Sequence, residues 1–337
     1  LESIKKYFQK IKNEDDVFQD IENRISEKFN SILNNNPINS LAGFGSAKGS
    51  NEEAYIFQKL IRTGFKTNNV DHCTRLCHAS SVAALLQSVG SAAVTAPFTA
   101  AKDAECIIVI GARPEQNHPV AASYLKQAVK NGSKLIIIDP RKQNLSRYAT
   151  HHLQFNPGQD LSLLNAMIYT IIEEGLINKD YIKNNTEGFE LLEKEIKDFK
   201  PLLMEKLCGI KADVIKEVAR LYAKSKTSII FWGMGISQHV HGTQNAFCLI
   251  NLALITGQVG REGTGLHPLR GQNNVQGASD AGLIPMSYPD YQRVSINKNQ
   301  LEMERFWDVT LDPNEGRTVV EIIEDIASKN IKGLYVQ

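Results

Sequence analysis

Apolar positions along the chain switch between two periods. Ile4, Phe8, Ile11, Val17, Ile21, Ile25 and Phe29 recur at roughly helical spacing among Lys, Glu and Asn, which predicts amphipathic helices in residues 1–36. Asn34-Asn35-Asn36-Pro37 breaks that pattern. Leu41-Ala42-Gly43-Phe44-Gly45 reads as a short strand, followed by a Gly- and Ser-rich loop and a helix from about Asn51 to Arg62. Val82, Leu85, Leu86 and Val89 form a further helical stripe. From about residue 100 the alternation is regular. The β-branched run Cys106–Ile110 is a buried strand. A helix opens near Pro119 and stops at Asn131-Gly132. Leu135–Asp139 is the next strand; Asp160 then caps a helix whose inward face carries Leu161, Leu164, Ile168 and Ile172. Ser228–Trp232 is another strand, and Phe247–Ile255 is apolar enough to predict a buried helix. Strands alternating with helices predict an α/β fold with a parallel sheet covered on both faces.

Composition narrows the partners. The 337 residues suffice for two or three packed domains. A formal net charge of +1 gives no electrostatic case for nucleic acid or an anionic membrane. No apolar run reaches the roughly 18 residues of a membrane helix, so no membrane insertion is expected. The N-terminus lacks a signal-peptide pattern, which points to the cytoplasm. It also lacks an initiator Met, so the natural start is expected elsewhere. Five cysteines, an odd number, argue against a disulfide scaffold. Cys106, Cys208 and Cys248 sit in apolar or helical contexts and read as small buried hydrophobes.

Candidate chemistry gathers where strands end. The turns Gly111-Ala112-Arg113-Pro114-Glu115-Gln116-Asn117-His118-Pro119, Asp139-Pro140-Arg141-Lys142 and Gly233-Met234-Gly235-Ile236-Ser237-Gln238 each follow a strand. Ligands of open α/β sheets bind at such positions. Gly permits close backbone approach to a phosphate, Arg clamps one, and Asp139 accepts from a guanine or ribose. Each turn alone also reads as an ordinary βα connection; three together favour a nucleotide-like ligand. Gly43–Gly49 resembles a dinucleotide loop, but its glycine spacing is off for a nicotinamide site. His151, His152, His239 and His241 read as surface or packing residues.

Asp71-His72-Cys73-Thr74-Arg75-Leu76-Cys77-His78 admits four readings. A c-type haem site needs two residues between the cysteines, and here there are three. A zinc site lacks a second Cys or His pair at suitable spacing. The cysteines could simply be packed at the start of the Val82–Val89 helix. Or Cys77 is a reactive thiolate, its pKa lowered by the helix start and by Arg75 and His78, and suited to a soft metal.

From near Ser40 to the C-terminus the sequence resembles the formate dehydrogenase catalytic subunits of the molybdopterin oxidoreductase family. Carrying the resemblance are Gly43–Glu52, Thr67–Cys73, Arg75-Leu76-Cys77-His78, Asn117-His118-Pro119, Ile138–Arg141, Trp232–Gly235 and Leu269–Gly277, in order and at matching spacing. It implies a bis-molybdopterin guanine dinucleotide cofactor holding molybdenum or tungsten, with Cys77 as metal ligand. Cys77, His78 and Arg270 would be catalytic. Arg270 would bind the formate carboxylate, hydride or its equivalent would leave carbon for the metal centre, and His78 would tune the thiolate and handle a proton. Cofactor contacts would fall on Gly111, Asn117, Asp139, Arg141, Gly158, Asp160, Gly233, Met234, Gln238 and Gln272. The Cys-His pair favours formate over nitrate.

The implied architecture is two αβα sandwich domains with mainly parallel, Rossmann-like sheets, the second inserted in the first. The first pterin-binding domain spans 1–72 and 273–337; the second, 73–272, carries Cys77. The family's N-terminal iron–sulfur domain and its C-terminal domain have no counterpart in this chain, so the cysteines of a 4Fe-4S cluster are absent and a central fragment is expected. Electrons would pass to iron–sulfur partner subunits, with formate and carbon dioxide as the reacting pair. Two alternatives stand beside this reading: a non-catalytic structural relative with the same fold, and a nitrate-reductase-like oxidoreductase.

Overall fold

A computed structural model describes residues 14–337 of the chain. Ile4, Phe8 and Ile11 of the first amphipathic stretch lie outside the described residues. In chain order the strands are β1 Leu41–Gly45, β2 Val70–His72, β3 Cys106–Ile110, β4 Lys134–Ile138, β5 His151–Leu153, β6 Ser228–Trp232, β7 Gly265–Pro268 and β8 Gly333–Val336. They form a three-stranded sheet, β2-β1-β8, and a five-stranded sheet, β5-β4-β3-β6-β7. Every ladder in both is parallel. The chain divides into two compact units. The first holds the described residues up to Arg75 together with Gln272–Gln337; the second is Leu76–Gly271. The divisions fall three residues later and one residue earlier than expected, so Cys73 and Gln272 belong to the first unit.

In the second unit, β3 is buried at all five positions, as its β-branched run requires. Side chains alternate between the faces of a strand. Ile108, Ile110, Ile136, Ile138, Ile230 and Trp232 meet one layer, built from helices Ala79–Val89, Asp160–Glu173 and Gly242–Ile255. Ile107, Val109, Leu135, Ile137, Ile229 and Phe231 meet the other, which includes Leu125 and Ala128 of helix Pro119–Lys130. That is an αβα sandwich. Cys106, Cys208 and Cys248 are buried, and burial pushes the thiols of Cys106 and Cys248 up to about 12. Asp160 is the first residue of its helix rather than the cap. Gln159 occupies the cap position, with no side-chain capping bond.

The first unit is a smaller copy of the same plan. Leu41 faces Phe57, Ile61, Val70, Val275 and Leu283 on one side of its sheet. Ala42 faces Ile322 and Ile331 on the other. Helix Glu14–Asn35 ends within the predicted break. Its apolar side packs through Phe29, Ile32 and Leu33, while Phe18, Ile21 and Ile25 remain exposed. Ser50 opens helix Asn51–Lys59 through a capping box with Glu53, which accounts for the end of the Gly- and Ser-rich loop. The helix then widens into a π-helical turn, Leu60–Gly64, that carries Arg62.

Arg62 is 1% exposed and, among the described residues, has no carboxylate partner. Its guanidinium donates to Gln58 Oε1 (2.8 Å), Asn68 Oδ1 and the carbonyls of Gly282, Ile284 and Ser287 (3.1, 2.7 and 2.8 Å). It also lies 5.0 Å from the Tyr288 ring centroid. Burial brings its pKa down to about 10, so the side chain stays charged at neutral pH. Five acceptors from three chain segments replace its water. Arg62→Met should cost about 3–5 kcal/mol, because it leaves several buried acceptors without a donor, each at about 1–3 kcal/mol before relaxation. A lowered urea midpoint at unchanged slope is the readout, and a midpoint equal to wild type would refute the account.

His72, at the end of β2, is 1% exposed, and its Nε2–H donates to Ser279 Oγ at 2.9 Å. Ser279 in turn donates to the Val275 carbonyl. Nδ1 is buried without a partner, so a second proton there has nowhere to donate. Burial, aided by the Arg75 charge, depresses His72 from 6.5 to about 4. A folded-state value below the unfolded one means that protonation favours unfolding. The contribution is complete above pH 6.5 and is lost progressively as pH falls from 6.5 to about 4. By pH 4 the loss is about 3 kcal/mol. His72→Gln keeps an N–H donor without titrating, so unfolding midpoints from pH 7 to 4 should fall less steeply in that variant.

Candidate functional site

The order β5-β4-β3-β6-β7 reverses at β3. The chain runs from β3 outward to β4 and β5, then returns to lay β6 and β7 on the opposite side. The gap between the carboxyl ends of β3 and β6 is thus a topological switch point, where open parallel sheets bind ligands.

Glycines let the two turns cross there. Gly111 has φ +56°, and a Cβ on it would lie 2.8 Å from the Gly235 carbonyl carbon. One on Gly235 would meet Gly111 Cα at 2.7 Å, and one on Gly233 the Gly111 carbonyl oxygen at 2.6 Å. The backbones also bond directly: Gly235 N–H donates to Gly111 O at 3.0 Å and Gly233 N–H to Ile110 O at 3.2 Å. At the end of β4, Asp139 Oδ1 accepts from the Arg141 N–H at 2.8 Å. Its Oδ2 accepts from Gln143 Nε2, which also donates to the Ala112 carbonyl at 3.0 Å and ties the β3 and β4 turns together.

Cys77 is buried and ends the one-turn helix Thr74–Cys77, with His78 between it and helix Ala79–Val89. Burial raises its thiol pKa; the Gly271 N–H and the Arg270 charge oppose that effect without overcoming it. Arg75 and His78, expected to lower it, do not. Arg75 is paired with Asp71 at 2.9 Å, and His78 is neutral. Burial, with the Arg270 charge, holds His78 down at about 4. Its Nε2–H donates to the Leu269 carbonyl at 3.1 Å, so Nδ1 accepts from Ser237 Oγ, also at 3.1 Å. Ser237 contacts Ser81 Oγ at 2.5 Å, and Trp232 Nε1–H donates to Ser81 at 2.8 Å. Every hydroxyl in this series can donate toward His78, which fixes one tautomer.

The segment after β7 completes the site. Leu269 N–H donates to the Trp232 carbonyl at 2.7 Å. Arg270 sends a guanidinium N–H to the Ala92 carbonyl at 2.7 Å. A Cβ on Gly271 would stand 3.7 Å from both Cys77 Sγ and Met234 Sδ. Cys77, His78, Arg270 and Met234 are therefore gathered at one place. Gln238 joins them, donating to the Leu76 carbonyl at 2.6 Å. Gly111, Gly233 and Asp139 lie in the neighbouring turns. Asn117 is exposed at the end of the one-turn helix Pro114–Asn117, Arg141 turns its side chain to solvent, and Gly158 (φ +81°) is open. Gln272 falls in the first unit. Sequence reasoning missed Ser81, Ser237 and Trp232 as supports of His78, and His118, whose Nε2–H donates to the Arg270 carbonyl at 2.5 Å. The glycine turn flagged Ser237's neighbourhood; no sequence signal pairs position 118 with 270.

The molybdopterin oxidoreductase family matches residues 19–337, and the chain belongs to it. It is 43% identical over 293 residues to the F420-dependent formate dehydrogenase subunit alpha of Methanocaldococcus jannaschii, covering 87% of this chain and 43% of that protein. It is 36% identical over 316 residues to formate dehydrogenase H of Escherichia coli, covering 93% and 44%. The chain thus spans less than half the length of these relatives. Among solved structures, acetylene hydratase from Pelobacter acetylenicus superposes with a TM-score of 0.60 at 24% identity, covering 69% of this chain and 32% of that one. That likeness concerns the fold. No described helix is long and apolar enough to cross a membrane.

The residues fit a molybdopterin-type group. Among the described residues no cluster of three or more His, Cys, Asp or Glu could hold a metal ion. A metal at Cys77 would therefore bring most of its ligands with it, and a thiolate suits a soft one. Asp160 Oδ2, Arg113 Nε and Glu115 Oε2 are buried with no hydrogen-bond partner, as expected of atoms that a bound ligand would satisfy.

The glycine crossing is directly testable. Gly235→Ala places a methyl carbon against Gly111 backbone and should cost about 1–3 kcal/mol, as overpacking does. Chemical denaturation reads the loss; an unchanged midpoint would show that the turns part without strain.

Proposed function

We propose that this chain is the metal-binding core of a molybdenum- or tungsten-dependent formate dehydrogenase catalytic subunit. The single observation carrying the reading is the convergence of Cys77, His78 and Arg270 beside Gly271 at the sheet's switch point. The 36–43% identity to formate dehydrogenase subunits supports it. The cofactor in this reading is a bis-molybdopterin guanine dinucleotide. The turns at 111–118, 139–143 and 233–238 would hold its dinucleotide arms, with Asp139 and Asp160 as acceptors. Gly158 and Gln272 are proposed contacts on the same footing.

When bound, the group would supply a two-electron acceptor for the C–H bond of formate. Cys77 would give one soft ligand. The Arg270 guanidinium would pair with the formate carboxylate and fix its orientation, charge against charge. His78 would present an uncharged ring at neutral pH, so it adds no second cation to compete for the anion. Gly271 N–H would donate to the sulfur of Cys77. Electrons would leave through iron–sulfur groups on other parts of the full-length protein or on partner subunits.

The test is metal and pterin content of the purified full-length protein, by elemental analysis and by fluorescence of the oxidised pterin. Molybdenum or tungsten with about two pterins per metal is the expected result. Cys77→Ser should remove one sulfur from the metal's coordination shell in X-ray absorption. It should also slow formate oxidation at least about a thousand-fold, about 4 kcal/mol of barrier. An unchanged sulfur shell would sink the ligand assignment. Metal-free protein would favour a non-catalytic relative, and turnover of nitrate without formate a nitrate-reductase-like enzyme.

A further inference from the structure

Two histidines reach consecutive carbonyls of the segment that carries Arg270. His78 Nε2 lies 3.1 Å from Leu269 O, and His118 Nε2 lies 2.5 Å from Arg270 O. A carbonyl only accepts, so both nitrogens carry their proton. The two rings come from opposite layers of the sandwich. His78 caps helix Ala79–Val89, which packs into the layer of Leu85 and Ile110. His118 caps helix Pro119–Lys130, which packs into the layer of Leu125 and Val109.

Neither anchor is loose. The N–H of His118 donates to Pro114 O at 2.8 Å, and its carbonyl accepts from Ala122 at 2.9 Å, so backbone on both sides holds the residue. His78 is held through Ser237, Ser81 and Trp232. The backbone they grip has left its sheet, while the Arg270 side chain is tied separately to the Ala92 carbonyl at 2.7 Å. The ladder of β7 ends at Pro268, and Leu269 N–H makes one further bond to Trp232. Beyond it come Arg270 and Gly271, the residues that face the Cys77 thiol.

We infer that His118 is a positioning residue for Arg270: with His78 it forms a two-sided clasp on carbonyls 269 and 270, and this sets where the guanidinium and the Gly271 N–H point. The formate-binding consequence rests on the function proposed above; the clasp itself does not. His118 touches no reacting atom in this role. Its effect passes through one peptide group.

The experiment compares His118→Gln, which keeps an N–H donor, with His118→Leu, which keeps bulk without one, in the full-length holoenzyme. Hydrogen exchange read by mass spectrometry should quicken about tenfold over residues 269–271 in H118L, and return toward wild type in H118Q. In the same variants KM for formate should rise about tenfold in H118L, with a smaller loss in kcat, and recover in H118Q. Unchanged exchange in H118L, or an H118Q variant as perturbed as H118L, overturns the clasp. Should H118L fail to accumulate, 15N-histidine spectra of wild type and H118Q decide. An Nε2–H tautomer for His118 supports the clasp, and an Nδ1–H tautomer refutes it. A wild-type enzyme that does not turn over formate would defeat the functional proposal and leave the exchange comparison standing.

Discussion

The site depends on one close contact, the crossing of the Gly111 and Gly233–Gly235 backbones at the ends of β3 and β6. No Cβ fits at any of the three glycines. The crossing sets the height at which helix Met234–Ser237 starts, and hence where Ser237 sits. Ser237 holds the ring of His78; His78 holds the Leu269 carbonyl; and Leu269 leads to Arg270 and Gly271. A shift at the crossing would be handed along that series, because interiors packed to crystal density do not absorb displacement locally. Structural glycines thus govern the geometry of a thiol they do not touch.

Electrostatics at the site follows from burial more than from charge pairing. Cys77 is pushed up and His78 down, each toward its neutral form, because the surroundings penalise charge. Arg270 is the cation that opposes the first shift and reinforces the second. A site poised this way holds its thiol protonated until something cationic arrives. A metal ion would supply that charge and take the proton's place, so the same burial that disfavours a bare thiolate favours a thiolate bound to metal.

Legibility in the sequence tracked the length and purity of each signal. β3, β4 and β6 are five-residue strands rich in Ile, Val and Leu, and their pattern declared them. β2, β5 and β7 are three or four residues long and carry His72, His151, His152, His267 and Pro268, so no periodicity can establish itself. The four helices between Lys179 and Lys224 went unassigned, although Ala212–Lys224 is strongly amphipathic in its burial. The boundary of helix Asp160–Glu173 was misplaced by one residue, since an Asp at the first helical position looks like a cap.

The same limit shaped the reading of the site. Cys77 and His78 are neighbours in sequence and were found together; Arg270 came only through resemblance. Local reasoning supplied Arg75 as the cation near the thiol because it is two residues away. The fold gives Arg75 to Asp71 and brings Arg270 from 193 positions further along instead. The exchange has a physical logic. A cation close in sequence must share the thiol's own short helix, where its side chain points along the turn toward Asp71, four residues back. A cation arriving on the strand end opposite can approach with its guanidinium and its backbone neighbour together, offering charge and an N–H to the same sulfur. Only a sheet that places β7 beside β6, and β6 beside β3, can deliver that pairing, so the chemistry at Cys77 is a property of strand order before it is a property of any motif.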